Sequence, residues 1–305
     1  MSQPKRQTVS YLTRRFKEVG LEPATRHGQN FLIDMNLQQL LVDRAELTDQ
    51  DVVLEVGTGT GALTHLMALQ AAAIVTCEID QRLYRMAREE LADFDNVVFI
   101  SQDALRNKHN YRPEVIDAVD AQLTAAPDRR FKLAANLPYN IATPVISNLL
   151  LWDNLPHSMT VTIQKEMAER IVAAPSTKDY GALSVWIQSQ CRAELVRIMP
   201  PSVFWPRPKV ESAIIHLELD HALRSRIRDP RRFHEFTRSM FFHRRKFLRS
   251  VILSAYKNEL SKPEVDQVMS ELQLRPDHRA EQLSVEELLA LGDALDSVAG
   301  KSAAG

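Results

Sequence analysis

The sequence predicts an α/β domain on a doubly wound, mostly parallel sheet, followed by a small all-helical domain. Three observations carry this. From Asp51 onward, short apolar runs alternate with longer amphipathic stretches, the pattern of βαβ units. A glycine-rich turn, Gly57-Thr-Gly59-Thr-Gly61, follows the first of those runs directly. Beyond Asp220 the strand signals stop and apolar residues recur at helical spacing. A chain of 305 residues is long enough for two cores, and the boundary is placed after residue 219, giving domains 1–219 and 220–305.

The elements follow in order. Ser10–Val19 reads as a short basic helix with Leu12, Phe16 and Val19 on one face. Val52–Val56 is a buried strand, Gly61–Gln70 a helix, Ile74–Glu78 a second strand, Arg82–Leu91 a helix and Val97–Ser101 a third strand. Residues 105–130 are polar and contain Pro113 and Pro127, which reads as a surface excursion carrying a short helix. Phe131–Ala135 resumes as a strand, Ile141–Leu151 as a helix and Met159–Ile163 as a strand. Helices are expected at Lys165–Ala173 and Gly181–Cys191. The closing strands, Glu194–Ile198 and Ser212–Leu219, are separated by the proline-rich loop Pro200–Pro208. In the second domain Phe233, Phe236, Met240 and Phe241 mark one helix, and Phe247, Leu248, Val251 and Ala255 continue the pattern. Ser284–Leu295 is a last helix with Ser284 and Glu287 spaced as a capping box, and the tail from Ala299 is expected to fray.

Hydrophobic content of 45% and charged content of 25% are those of a soluble globular protein. No apolar run approaches the ~20 residues of a membrane span. Met1–Ser10 is polar, with Lys5 and Arg6 but no apolar stretch behind them, so it is not read as a secretory signal. Cys77 and Cys191 stand far apart without a CxxC pattern and read as two buried thiols in a reducing cytoplasm, with no disulfide and no metal site. No long apolar stripe is left over for a second copy, so a monomer is expected. The net charge of −1 hides an asymmetry. Between His221 and Arg249 ten Lys/Arg face two acids, a local +8 against −9 for the remainder. Such a field attracts polyanions; a solvated helix face is the alternative.

The glycine turn lets the backbone approach a ligand closely and opens onto the N–H groups of the next helix. Its spacing is GxGxG, not the GxGxxG of a dinucleotide fold. The second strand ends in Cys77-Glu78-Ile79-Asp80, where an acid can accept ribose hydroxyls, a feature nicotinamide enzymes share. The third ends in Ser101-Gln102-Asp103; that carboxylate can accept from an adenine amino group or cap a helix. The fourth ends in Asn136-Leu137-Pro138-Tyr139. There the Asn136 side-chain oxygen and the Leu137 or Pro138 carbonyl can hold the two hydrogens of an exocyclic adenine amine. That brings its lone pair into line, so positioning does the work and no strong base is needed. Tyr139 can stack on an extruded base. The alternative is a proline turn whose Asn caps the helix near Ile141. Phe204, in the stiff segment Phe204-Trp205-Pro206-Arg207-Pro208-Lys209-Val210, is the candidate for the opposite face of the base, with Trp205 read as the core residue of the pair.

These residues carry a resemblance. The chain resembles the KsgA-type ribosomal RNA adenine dimethyltransferases, relatives of the macrolide-resistance methyltransferases and of mitochondrial transcription factor B. The likeness runs from about Arg26 to Leu283, through Gly28-Gln29-Asn30-Phe31-Leu32, the glycine turn, Glu78-Ile79-Asp80, Gln102-Asp103-Ala104 and Asn136-Leu137-Pro138-Tyr139. It continues through Gln164-Lys165-Glu166, Tyr180-Gly181, Phe204–Ser212 and His243-Arg244-Arg245-Lys246.

It implies a class I methyltransferase, Rossmann-like with a mostly parallel seven-stranded sheet, using S-adenosylmethionine and no metal. Asn30 and Leu32, with Gln29 beside them, would border the methionine end of that cofactor. Gly57 and Gly59 would lie under it, Glu78 would take the ribose, Asp103 the adenine, and Asn136 would sit between cofactor and substrate. The implied catalytic set is Asn136, Leu137, Pro138, Tyr139 and Phe204. The implied substrate is a pair of adjacent adenosines in the 3′-terminal hairpin of small-subunit rRNA, each methylated twice at N6. Lys209, Arg244, Arg245, Lys246 and Arg249 are the candidate RNA contacts, and the small ribosomal subunit in the cytoplasm is the implied partner. Thr58 stands where the family often has proline, His243 where it often has glutamine, and the 105–130 stretch is longer than is typical. Two other readings share the fold: a resistance-type enzyme acting on large-subunit rRNA, and a non-catalytic assembly or transcription factor. The HRRKFLRS stretch (243–250) and Arg279–Ser284 favour the small subunit, and the intact 136–139 motif favours catalysis.

Overall fold

The computed structural model describes residues 7–21, 29–244 and 246–302. In chain order the elements are α1 (Val9–Glu18), β1 (Phe31–Leu32), α2 (Met35–Ala45), β2 (Asp51–Val56), α3 (Ala62–Ala68), β3 (Ala73–Cys77), α4 (Gln81–Glu90), β4 (Val97–Ile100), β5 (Leu105–Asn107), β6 (Asn110–Tyr111), α5 (Pro113–Thr124), β7 (Arg130–Asn136), α6 (Ala142–Leu149) and β8 (Ser158–Gln164). Then come α7 (Lys165–Ile171), α8 (Ala182–Gln188), β9 (Cys191–Met199), β10 (Phe204–Trp205), β11 (Ser212–Leu219), α9 (His221–Arg224), α10 (Pro230–Phe242), α11 (Leu248–Ala255), α12 (Lys262–Glu271) and α13 (Val285–Ser302).

Seven strands form one sheet in the order β4-β3-β2-β7-β8-β11-β9. The pairs β4/β3, β3/β2, β2/β7 and β7/β8 are parallel, and β11 runs antiparallel to β8. The chain winds outward from β2 to β4, then crosses back to place β7 on the other side of β2. The ends of β2 and β7 therefore flank the point where strand order reverses, the place where open α/β sheets bind ligands. β2 is buried along its whole length, as a central parallel strand covered on both faces must be.

Residues 105–130 are not an exposed excursion. They form the β5/β6 hairpin and α5, which lies against β2, β3 and β7 as the crossover helix of a βαβ unit. Its Val115 and Val119, four residues apart, are fully buried, with Ile116 and Leu123 half-buried beside them. α2 has no counterpart among the sequence-predicted elements, because a polar residue occupies one of its core-facing positions. Gln38 is buried beside Leu41, Val42 and Ala45, and its amide donates to the Leu32 carbonyl.

The chain divides into two compact units, 1–168 with 194–218, and 169–193 with 219–305. The last of the three breaks falls between Glu218 and Leu219; the grouping of Glu169–Ala193 with the helical unit does not follow from a single cut after 219. Its physical basis is Trp186 of α8, which is 1% exposed and packs on Phe233 of α10. Within the helical unit the Tyr180 hydroxyl donates to the Leu283 carbonyl at 3.0 Å, and Gly292 lets α13 approach the Phe236 ring closely. Asp229 caps α10, and Ser261 with Glu264 forms a capping box at α12, an element the sequence reading passed over. The Ser284–Glu287 box is present at the start of α13, which stays helical through Ser302 rather than fraying from Ala299.

Candidate active site

A cavity opens at the switch point, walled by the segments that follow four parallel strands. Gly57 and Gly59 come from the turn after β2, Glu78 and Ile79 from the end of β3, Asp103 from the end of β4, and Asn136 to Tyr139 from the end of β7. Gln29 and Asn30, ahead of β1, close another side.

The turn needs glycine for two separate reasons. Gly57, Gly59 and Gly61 have φ of 91°, 56° and 78°, a left-handed region that side chains rarely adopt. A Cβ at Gly57 would also sit 3.4 Å from the Pro138 ring, and one at Gly59 3.2 Å from Phe31. Thr58 ties the turn to β3 through a 2.6 Å bond to the Thr76 hydroxyl. Thr76 and Thr64 both donate to one oxygen of Glu55, each at 2.6 Å. Burial pushes the Glu55 carboxyl up to about 8; the two hydroxyls pull it down and the Glu78 charge raises it.

Glu78 is held by its own backbone surroundings. Its Oε2 accepts from Gly59 N–H and its Oε1 from Asp80 N–H, both at 2.9 Å, so the carboxylate is fixed at the cavity edge. Burial raises its pKa, and those two N–H groups lower it. Asp103 accepts from Leu105 N–H at 2.9 Å and enters a strand, so it closes an Asx turn and does not cap a helix.

Asn136 is no helix cap either, since α6 begins after Ile141. Its Nδ2 donates to the Asn30 carbonyl at 2.8 Å, which directs Oδ1 away as an acceptor. Pro138 turns the chain, and its carbonyl accepts from Ile141 N–H at 3.1 Å. The Leu137 side chain is buried at 2% exposure, so only its backbone can serve a ligand. Tyr139 is half-buried, its hydroxyl 2.5 Å from that of Ser212 on β11. Burial raises its pKa, against the pull of that bond.

Two residues expected at the site lie elsewhere. Leu32 pairs with Phe204 across the β1/β10 ribbon, and both side chains belong to the hydrophobic core around Leu41, Met67 and Ile214. Alternation along β10 turns Phe204 inward, to 2% exposure, while Trp205 lies half-buried against Phe16 and Phe31. Phe204 is thus the more buried of the two aromatics, and neither lines the cavity. The cavity also includes residues that sequence reasoning did not select. Phe31 lines it from within the motif that supplied Gln29 and Asn30. Ile79 lines it too, and at 47% exposure it is an apolar side chain held open to solvent beside Glu78. Its position directly after the acid was the available signal.

Residues 21–296 match the family model described as ribosomal RNA adenine dimethylase. The chain belongs to that family. A ribosomal RNA small subunit methyltransferase A from Geobacillus sp. (strain WCH70) is 38% identical over 273 residues, covering 89% of this chain and 91% of its own. The protein of that name from Listeria innocua is 43% identical over 230 residues, 75% of each chain. Among solved structures, a dimethyladenosine transferase from Plasmodium falciparum gives a TM-score of 0.70 at 22% identity, covering 85% of this chain and 94% of its own. The 23S rRNA methyltransferase ErmE gives 0.60 at 24%, covering 88% and 100%. At those identities the likeness is one of fold.

For an rRNA adenine dimethylase the basic residues matter as much as the cavity. The Arg244 guanidinium donates to Glu281 and to the carbonyls of Lys178 and Thr177. Arg249 makes a two-bond pair with Asp266. Both are spoken for by the protein itself. Lys246 and Lys209 are exposed, and Arg245, like Gly28, lies outside the described residues. Among the described residues no helix is long and apolar enough to cross a membrane.

Proposed function

We propose that this chain uses S-adenosylmethionine to dimethylate N6 of two adjacent adenosines in the 3′-terminal hairpin of small-subunit rRNA. It acts as a monomer on the small ribosomal subunit, in the cytoplasm. The observation that carries the reading is the Asn136 amide, anchored through Nδ2 to Asn30 so that Oδ1 is the atom left to accept from a substrate amine.

The cavity residues fit the cofactor. Gly57 and Gly59 hold a left-handed backbone with no side chain to come between it and a ligand, and a Cβ at Gly59 would crowd Phe31. Glu78 offers the second lone pair of each carboxylate oxygen to the ribose hydroxyls, and Asp103 has an oxygen for the adenine amine. Ile79 supplies an apolar surface for the adenine ring. When bound there, the cofactor supplies an activated methyl group. Asn136 Oδ1 takes one hydrogen of the adenine amine. The Leu137 or Pro138 carbonyl takes the other, the latter alongside its bond from Ile141 N–H. With both hydrogens held in the plane of the acceptors, the nitrogen lone pair points toward the cofactor, and alignment replaces base catalysis. Tyr139, its hydroxyl pinned by Ser212, presents its ring to the base. Phe204, buried in the core around Leu41, Met67 and Ile214, does not clamp the base.

The test is transfer of radiolabelled methyl to unmodified small subunits, with large subunits and Asn136→Ala as parallel reactions. Dimethyladenosine in small-subunit rRNA, lost in the variant, is the expected product. Labelling of large subunits alone would replace this reading with the resistance-type activity. RNA binding without transfer to either subunit would replace it with a non-catalytic factor.

A further inference from the structure

We propose that the cleft between α10 and α11 docks one unpaired nucleotide of the RNA, its base stacked on Phe242 and the flanking phosphates held by Arg238 and Lys246. The inference rests on the RNA-substrate reading above and adds a contact outside the methyl-transfer cavity.

Phe242 is the first observation. Phe233, Phe236 and Met240 of α10 are at most 7% exposed and Phe241 is half-buried, whereas Phe242 at the last turn is 80% exposed. A side chain of that size left in solvent has no role in folding this unit. Its ring is backed edge-on by His243, with centroids 4.8 Å apart. The cleft beside it is lined by Arg238, Ser239, Phe242, His243, Val251 and Ser254. That combination, an apolar face with hydroxyl and imidazole groups at its edge, suits a nucleobase, which is flat, weakly polar on its faces and hydrogen-bonding at its rim.

Charge is the second observation. Arg226, Arg228, Arg232, Arg244 and Arg249 are each ion-paired to an acid of the helical unit. The +8 of residues 221–249 is therefore largely cancelled where it stands. Among the described residues Arg238 and Lys246 form no ion pair, and both are exposed. Arg231, Arg238 and Phe242 share one face of α10, spaced seven and four residues apart. Glu235 lies on that face and lines the cleft too, and Lys246 sits in the turn after His243, its N–H donating to the His243 carbonyl at 2.9 Å. An unpaired nucleotide is the fitting occupant, because a base inside a stacked helix cannot present its face to an aromatic ring.

The experiment measures binding of the full chain to a nine-nucleotide single-stranded RNA and to the same sequence annealed as a duplex. Phe242→Ala is expected to weaken single-strand binding roughly tenfold, with duplex binding and the salt slope unchanged and Phe242→Tyr restoring affinity. Arg238→Ala and Lys246→Ala should each lower the salt slope by about one. Single-strand affinity of Phe242→Ala equal to wild type would overturn the proposal, as would equal losses on both probes. A fall in the oligomeric state of Phe242→Ala with RNA affinity intact would overturn it in favour of a protein interface. Methyl transfer is assayed separately, so a wild-type chain that transfers nothing yet binds single strands through Phe242 sinks the enzyme reading and leaves this one standing.

Discussion

Asn136 donates its side-chain amide to the Asn30 carbonyl at 2.8 Å, joining the end of β7 to the segment ahead of β1 across 106 residues of chain. The bond decides which end of the amide faces the cavity. A carboxamide has one donor and one acceptor end, and engaging the donor on the protein presents the acceptor to the ligand.

Asn136→Asp should therefore fail as badly as Asn136→Ala. The carboxylate has no hydrogen for Asn30 and would set an oxygen against a carbonyl oxygen. Both variants are expected to lose about 100-fold in kcat through misplacement of the amine, while cofactor affinity changes little. Single-turnover methyl transfer beside calorimetric cofactor binding separates the two effects. Near-normal transfer by Asn136→Asp would show that Oδ1 alone matters and that the tie to Asn30 does not.

Glu55 makes stability depend on pH. Its carboxyl is raised from 4.5 to about 8 by burial, so between those values the folded chain binds a proton that the unfolded chain has lost. The contribution is complete below pH 4.5 and is lost as pH rises through 8, so this residue lowers the unfolding midpoint over that window. Thr64 and Thr76 donate to the same oxygen, Oε2, and a glutamine amide oxygen can accept both. Glu55→Gln should flatten the decline and raise the midpoint at pH 9. Thermal unfolding from pH 5 to 9 measures it, and parallel curves for the two proteins would show that Glu55 is already ionised.

Much of this was legible from the chain, and the rest was hidden for particular reasons. The glycine turn, Glu78, Asp103 and Asn136 stand out because each follows an apolar strand run, buried for β2, β3 and β7 and half-buried for β4. α5 was read as part of a surface excursion because the polar residues and prolines around it, Pro113 and Pro127, masked the buried pair Val115 and Val119. α2 was missed because Gln38 faces the core on the strength of one bond to a carbonyl, which no periodicity reveals. That Phe204 is the more buried of Phe204 and Trp205 could not be read, because a two-residue strand is too short for a periodicity in the sequence to show its inner face. The basic stretch misled for another reason: its partners, Asp266, Glu281, Glu286, Asp293 and Asp296, lie up to 65 residues downstream in the same unit.

That pairing divides the cations by role. Arg249→Ala and Arg244→Lys should lower the unfolding midpoint of the helical unit modestly, since both pairs are partly exposed. Their effect on the salt dependence of RNA binding should be small. Lys209→Ala, an exposed cation, should do the reverse, leaving the unfolding midpoint alone and reducing the salt slope by about one. Denaturant titration and binding at several salt concentrations check both halves. A large drop in salt slope for Arg249→Ala with unchanged stability would mean that Asp266 releases the arginine when RNA arrives.

Tyr139 and Ser212 give a coupling that can be measured directly. Their hydroxyls lie 2.5 Å apart, and Ser212 is fully buried on β11, a rigid strand of the sheet. If the bond serves to hold the Tyr139 ring at the angle the base requires, each partner is worth only what the other makes of it. Tyr139→Phe and Ser212→Ala should then each lower kcat by about fivefold, and the double variant should fall no further, a pairwise term near 1 kcal/mol. Tyr139→Ala removes the ring itself and should lose roughly tenfold or more beyond that, since stacking on an extruded base goes with it. A double-variant cycle on methyl transfer to small subunits decides the matter. Additive losses would mean that the two hydroxyls act on separate things, with Ser212 supporting the sheet and Tyr139 meeting the substrate through its oxygen.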